Sequence, residues 1–118
     1  MLNNKLAVQS ATLTASAGYT IQDAETSIQK IGNIVILQMV VMADTNFTGA
    51  TVATLPTGFK PAKPVNYMCR GSNVQWAADG AMGIMYLYIN SETGAIQVRP
   101  KTGESFKYAS INCCYVTN

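Results

Sequence analysis

Few side chains in this sequence could perform catalysis, because its 118 residues contain no histidine and only six acidic residues. Without histidine, neither a Ser-His-Asp nor a Cys-His site can be built, and the usual general base at neutral pH is missing. Two carboxylates could still hydrolyse a glycosidic bond, but a catalytic carboxylate needs partial burial to shift its pKa. All six candidates fall in segments that we predict to be turns or linkers: Asp23, Glu25, Asp44, Asp79, Glu92 and Glu104. We therefore predict that the protein is not an enzyme.

The three cysteines do not indicate a metal site or a disulfide framework. Cys113 and Cys114 are adjacent and would project to opposite faces of a strand, and Cys69 makes the number odd. Zinc sites need spaced cysteine pairs or histidines, which are missing, and no phosphate-binding or dinucleotide-binding loop is present. We expect no metal or cofactor, and we expect the cysteines to act as small buried hydrophobes.

Ligand binding is better supported than catalysis. Trp76, the single tryptophan, lies in a polar segment. An aromatic ring with amide and carboxylate side chains around it is typical of a ligand-binding site. The predicted ligand-binding patch consists of Trp76, Asn73, Gln75 and Asp79. The alternative is that Trp76 fills the core beside Tyr86 and Tyr88.

Composition and charge narrow the class of partner. Charged residues make up 12% of the chain, against roughly a quarter in average soluble proteins, and 48% is hydrophobic. The surface must therefore be covered by small polar residues, and another subunit could cover part of it. The net charge of +2 comes from scattered lysines and arginines, so nucleic-acid binding is not expected. No apolar stretch is long enough to span a membrane, and the first residues lack a signal-peptide core, so we expect synthesis in the cytoplasm.

The longest apolar run, residues 34–42, is apolar on both faces except at Gln38. As a β-strand it would point two sets of side chains in opposite directions, although a strand of a sandwich has one inner face. The second face must be covered by a loop, by the N-terminal arm or by a neighbouring subunit, and we favour the subunit. The predicted subunit interface consists of Ile34, Ile36, Val40 and Met42.

Regularly spaced strands with turn signals predict an all-β fold. Alternating or apolar segments occur at residues 65–70, 82–89, 95–99 and 106–116, and no segment is convincingly helical. This pattern indicates a single antiparallel β-sandwich of jelly-roll type. We assign residues 27–118 to this head domain, and residues 1–26 to an N-terminal arm or linker with one or two marginal strands.

The segment Leu55-Pro56-Thr57-Gly58-Phe59-Lys60-Pro61 predicts a stiff corner between strands. The two prolines fix φ and remove ladder donors, and the glycine can adopt a positive φ. Phe59 is then the apolar plug that seats the corner on the core. The predicted structural corner consists of Leu55, Pro56, Gly58, Phe59 and Pro61.

Two stretches together resemble the C-terminal modules of bacteriophage tail fibres, baseplate receptor-binding proteins and related virion appendages. Residues 30–37 match the pattern K-(I/V)-G-N-(I/V)-V-x-L, and residues 52–61 match x-x-(I/L)-(A/G)-T-L-P-x-G-(F/Y)-(K/R)-P. Residues 84–98 and 111–116 match the later strands of these modules more loosely. The Leu-Pro-x-Gly-Phe-x-Pro corner is the specific part of the resemblance.

The resemblance implies a homotrimeric virion protein at a fibre or baseplate tip that binds a saccharide of the host cell surface. The N-terminal arm would attach it to other virion proteins. Assembly inside the host and release by lysis would fit the missing signal peptide. The alternative within the virion is a head fibre or capsid decoration protein, which trimerises and attaches without binding a receptor. A polysaccharide hydrolase is disfavoured because histidine is missing and the carboxylates lie in loops.

Overall fold

The computed structural model describes residues 7–74 and 82–118, and within them almost all regular structure is β-strand. One 3-10 turn, Asp23–Glu25, interrupts the strands. The strands are β1 (Val8–Ser10), β2 (Thr14–Ala15), β3 (Tyr19–Ile21), β4 (Ser27–Ile31), β5 (Ile34–Ala43), β6 (Thr51–Thr54), β7 (Val65–Ser72), β8 (Met82–Ile89), β9 (Ala95–Pro100) and β10 (Tyr108–Val116). No described helix is long and apolar enough to cross a membrane.

The ten strands form one curled antiparallel sheet in the order β1-β4-β5-β10-β7-β8-β9-β6-β2, and β3 also pairs with β5. The predicted all-β antiparallel architecture is confirmed, but the hydrogen bonds do not divide the strands into the two separate sheets of a jelly-roll sandwich. The physical reason is β10. It pairs with β5 over its whole length and with β7 over its first three residues, so it joins the two halves of the sheet.

The N-terminal segment is part of the same sheet. From residue 8 to residue 21 it contributes three short strands, where the sequence predicted one or two. β1 pairs with β4, β2 with β6, and β3 with β5. The three residues of β1 are exposed, so this strand adds backbone hydrogen bonds at the sheet edge and little core burial.

The core lies on the inner side of the curled sheet, and alternation along each strand builds it. On β5, the inward set is almost fully buried: Val35, Leu37, Met39 and Val41. On β8, Met85, Leu87 and Ile89 point inward in the same way. Burial of a large aliphatic side chain stabilises the fold by roughly 1.5–3 kcal/mol, so these alternating sets fix the register of their strands.

The Pro-Gly corner closes one end of the sheet. Gly58 has φ +91, which strongly favours glycine at this position. Phe59 is buried at 7% exposure, and its carbonyl oxygen accepts a hydrogen bond of 2.5 Å from the Tyr115 hydroxyl. The Lys30 ammonium donates to the carbonyl of Gly58 at 2.8 Å and lies 5.7 Å from the Phe59 ring centre. The two sequence stretches that carry the family resemblance are therefore in contact.

The β8–β9 hairpin packs on the same corner. The Leu55 N–H donates to the Gly94 carbonyl at 2.9 Å. A Cβ at Gly94, which has φ +76, would lie 3.2 Å from the Leu55 side chain. Pro56 is half-buried and Pro61 is buried, and Pro61 bridges to Thr117 after β10. The corner thus connects β6 to the end of β10.

Candidate ligand-binding groove

The predicted patch around Trp76 is only partly within the described structure. Asn73 lies exposed in the bend that follows β7. Gln75, Trp76 and Asp79 lie outside the described residues. The alternative, in which Trp76 joins Tyr86 and Tyr88 in the core, is wrong about the tyrosines. Both lie on the outer face of β8 because they alternate with the buried Met85 and Leu87; Tyr86 is 49% exposed.

The structure reveals a different groove, of about 570 Å³, on the outer face of β7, β8 and β9. Two rows of directly opposed residues form its floor. One row is Asn66, Tyr88 and Gln97, and the other is Met68, Tyr86 and Arg99. Within a row, neighbouring side chains are in contact range, and the two rows lie about 7 Å apart along the strands. The groove therefore brings together aromatic rings, two amides and one guanidinium.

The first row has the chemistry of a sugar site. Tyr88 is half-buried, so its ring is supported by the sheet and still reaches the groove. The amides of Asn66 and Gln97 flank it on the two neighbouring strands. A phenol ring with an amide on each side can contact the C–H face of a sugar and hydrogen-bond its hydroxyls.

The second row holds a cation. The Arg99 guanidinium carbon lies 5.0 Å from the centre of the Tyr86 ring, which is cation–π geometry. Arg99 covers part of Tyr86, so in this row the guanidinium is the more available group. Among the described residues that line the groove, none is acidic.

A separate apolar patch lies on the same outer face at β5 and β10. Ile34 pairs with Val116 and Ile36 with Cys114, and all four side chains are exposed; Ile34 is 50% and Ile36 47% exposed. The other two residues of the predicted interface, Val40 and Met42, are half-buried. Val40 shares a hollow with Ala24 of the 3-10 turn. The chain itself therefore covers part of this face, whereas the favoured expectation was a neighbouring subunit.

The cysteines occupy three different environments. Cys69 is buried, Cys113 is half-buried and Cys114 is exposed. The expectation of three buried cysteines is therefore wrong for Cys114, because adjacent residues of a strand point to opposite faces. Burial, with a smaller contribution from Cys113, raises the pKa of the Cys69 thiol to about 12. Within the described residues, no group of three or more His, Cys, Asp or Glu could hold a metal ion.

The acidic side chains within the described residues lie where the sequence predicted. Asp23 and Glu25 are in the 3-10 turn, and Asp44 follows β5. Glu92 is in the β8–β9 turn, and Glu104 is in the loop before β10. None of them lines the groove between β7 and β9.

The sequence contains most of the signals that predict this groove, and the register between β8 and β9 is the part that it does not contain. Alternation along residues 82–89 puts Tyr86 and Tyr88 on one face of a strand, and the polar, Gly-containing residues 90–94 are typical of a hairpin turn. The missing information was the register across that hairpin, in which Tyr86 opposes Arg99 and Tyr88 opposes Gln97. The Asn90 side chain sets the turn by accepting from the N–H groups of Glu92 and Thr93 at 2.8 and 3.0 Å.

The architecture of this chain is similar to that of known protein structures. No family model and no curated protein sequence matches the chain. Among solved structures, the head domain of the lactococcal phage bIL170, described as a receptor-binding domain, matches with a TM-score of 0.66 and 13% identity. The match covers 95% of this chain and 100% of that one.

The receptor-binding protein (gp15) of Listeria phage PSA matches with a TM-score of 0.65 and 23% identity. This match covers 96% of this chain and 67% of that one. The chain therefore has the fold of phage receptor-binding head domains.

Proposed function

We propose that this chain is a receptor-binding module of a phage or prophage virion and that it binds a saccharide of the host cell surface through the groove on β7, β8 and β9. The observation that supports this most directly is the row in which Tyr88 is flanked by the amides of Asn66 and Gln97. The shared fold supports the class of protein, and the groove supports the class of ligand.

Binding in this groove is a matter of stacking and hydrogen bonding. The sugar ring would lie on Tyr88, and its hydroxyls would bond the amides of Asn66 and Gln97. An open groove of this kind leaves much of a sugar in water, so the affinity of one site is expected to be weak. Repeated sites on one particle then raise the overall affinity through multivalency.

The proposed assembly is a homotrimer that buries the apolar patch of Ile34, Ile36, Cys114 and Val116. This extends the predicted interface along β10 and uses the half-buried Val40 and Met42 at its margin. The patch is on β5 and β10, whereas the groove is on β7, β8 and β9, so one surface can form the subunit contact while the other stays available. In this proposal the N-terminal arm attaches the module to other virion proteins.

The patch around Trp76 remains a second proposed ligand contact. Asn73 follows β7, the strand that supplies Asn66 to the groove. Host-cell binding by a Trp76→Ala variant that folds normally would be reduced if this segment adds contacts to the same receptor. Unchanged binding would remove Trp76 and its neighbours from the proposed site.

The test of the function is binding of the purified, fluorescently labelled protein to bacterial cells and to isolated cell-wall polysaccharide. Tyr88→Leu should abolish binding because it removes the aromatic plate, whereas Tyr88→Phe should retain most of it because the ring remains. Equal binding by the two variants would exclude this groove.

Two other results would support alternative functions. A trimer that binds no cell would support a head fibre or decoration protein. Loss of polysaccharide mass on incubation would support a hydrolase.

A further inference from the structure

We propose that Arg99 makes the groove selective for saccharides that carry an acidic substituent, a carboxylate or a phosphate. This inference rests on the proposed saccharide binding and adds the charge of the ligand. The sugar ring would lie on Tyr88, and its acidic group would reach Arg99 in the neighbouring row.

Arg99 is held in position before any ligand arrives. Its guanidinium lies over the Tyr86 ring at 5.0 Å. On another side, its aliphatic stem lies against Gly49, where an added Cβ would be 3.3 Å from Cδ of Arg99. The Gly49 N–H donates to the Val98 carbonyl at 3.0 Å, so the glycine is tied to β9 beside the arginine. A side chain fixed in this way loses less conformational entropy when it binds an anion.

Within residues 7–74 and 82–118, the groove offers the charge of Arg99 no acidic partner. The polar residues that line the groove with it are neutral, chiefly Asn66, Tyr88 and Gln97. Arg70 on the same outer face is different, because its guanidinium donates to the Ser110 hydroxyl at 3.0 Å. Arg99 thus presents a planar donor group that suits a carboxylate or phosphate in two-point contact.

The spacing of the two rows fits one substituted sugar. Asn66, Tyr88 and Gln97 lie about 7 Å along the strands from Met68, Tyr86 and Arg99. The reach from the centre of a sugar ring to an acidic oxygen on its edge, plus one hydrogen bond of about 2.9 Å, is comparable to that separation. A ring over Tyr88 therefore brings its acidic group toward Arg99, whereas a neutral sugar leaves the guanidinium to water.

The experiment is an NMR titration of the ¹⁵N-labelled full chain with matched sugars. The probes are glucose and galactose, their uronic acids, their 1-phosphates, and inorganic phosphate alone. The uronic acids or the 1-phosphates should bind at least roughly ten-fold more tightly than the neutral sugars, because hydrogen bonds to charged groups are the stronger ones. The preference should weaken as salt is added. The comparison of the two acidic series identifies carboxylate or phosphate as the preferred group.

Three variants, tested in the same titration, distinguish the effect of the Arg99 charge from the binding of the sugar ring. Arg99→Gln should remove the preference, so that the acidic sugars bind no more tightly than the matched neutral ones. Arg70→Gln is the matched control and should keep the preference. Tyr88→Leu should weaken all the sugars together.

Three results would overturn the inference. If neutral and acidic sugars bind equally, or if the preference survives Arg99→Gln, the charge selectivity is wrong and saccharide binding stands. If inorganic phosphate alone binds as tightly as the sugar phosphates, the site recognises an anion and not a saccharide. If no sugar shifts the signals of β8 and β9, both the inference and the proposed groove fail.

Discussion

At the residue scale, the Tyr115 hydroxyl is a polar group that connects two distant parts of the chain. It donates to the carbonyl of Phe59, 56 residues away in sequence, and the bond is buried. Burial, with a smaller contribution from Cys113, raises the pKa of this hydroxyl, so it remains a donor at neutral pH. The corner is therefore held to β10 by one specific hydrogen bond as well as by the packing of Phe59.

We expect Tyr115→Phe to lower the free energy of unfolding by about 1 kcal/mol. The ring and its packing remain, but the buried carbonyl of Phe59 loses its donor. Urea denaturation followed by tryptophan fluorescence would measure the change. Tyr108→Phe is the control on the same strand. Equal stability of the Tyr115→Phe variant and the wild type would show that water replaces the hydroxyl at no cost.

Cys69 should make stability depend on alkaline pH. Its thiol has a pKa of about 12 when folded, against an ordinary value of 9.0. Below pH 9 both states are protonated and the stabilising difference is complete. Above it the unfolded state loses its proton first, so stability falls as the pH rises toward 12.

The expected loss that is due to Cys69 is about 2 kcal/mol at roughly pH 10.5. Denaturation curves at pH 8 and at the alkaline pH, for the wild type and Cys69→Ala, would isolate this contribution. Cys114→Ala is the matched control, because that thiol is exposed. A wild type that loses no more stability than Cys69→Ala would contradict the linkage.

At the element scale, the packing of Phe106 against the paired strands β7 and β8 depends on two glycines that lie opposite each other. Gly71 pairs with Gly83, and the Phe106 ring lies against both. An added Cβ would lie 2.7 Å from this ring at Gly71 and 2.5 Å at Gly83. The missing side chains make the space that the buried Phe106 fills, and so the loop before β10 packs onto β7 and β8.

We expect Gly83→Ala to destabilise the protein by roughly 1–3 kcal/mol, the usual cost of overpacking a core. The Phe106→Leu variant should tolerate the same change better, because the smaller side chain leaves room for the methyl group. A double-mutant cycle from thermal or urea unfolding would measure this coupling. Additive effects of the two changes would mean that Phe106 does not limit the space at Gly83.

At the scale of the whole molecule, the outer face carries two surfaces of different chemistry. The patch on β5 and β10 is apolar, and the groove on β7, β8 and β9 combines tyrosines, amides and an arginine. Large exposed apolar patches on a soluble protein usually mark contacts with other proteins. We therefore expect self-association at the first surface and ligand binding at the second.

Light scattering on a sizing column should give a molar mass near 38 kDa, about three times the 12.6 kDa chain. Ile36→Lys should shift this mass toward that of one chain, because a charge would be buried in the contact. Thr54→Lys, an exposed change on β6, is the control. A wild type with the mass of one chain would contradict the trimer.

The reactivity of Cys114 gives an independent measure of the same contact. Cys114 pairs with Ile36 and is exposed in the single chain. In the wild-type assembly a thiol reagent should modify it slowly, and in Ile36→Lys quickly. Fast modification of an intact wild-type trimer would place the subunit contact elsewhere.

The sequence by itself determined most of the strands and the two sets of side chains that each strand points in opposite directions. Val35, Leu37 and Met39 form one apolar set of β5, and the alternation of residues along a strand is enough to separate them from Ile34 and Ile36. The Pro-Gly corner was also readable, because Pro and Gly restrict the backbone locally. These features depend on residues close together in the chain.

Only the tertiary structure decided which set faces the core and how the strands are joined. β10 connects β5 to β7, and this pairing turns the expected two sheets into one. The register of the β7–β8–β9 pairing likewise places Tyr86 opposite Arg99 and Tyr88 between two amides. Local patterns cannot specify such pairs, because the free energy of a register comes from contacts between residues that are distant in sequence.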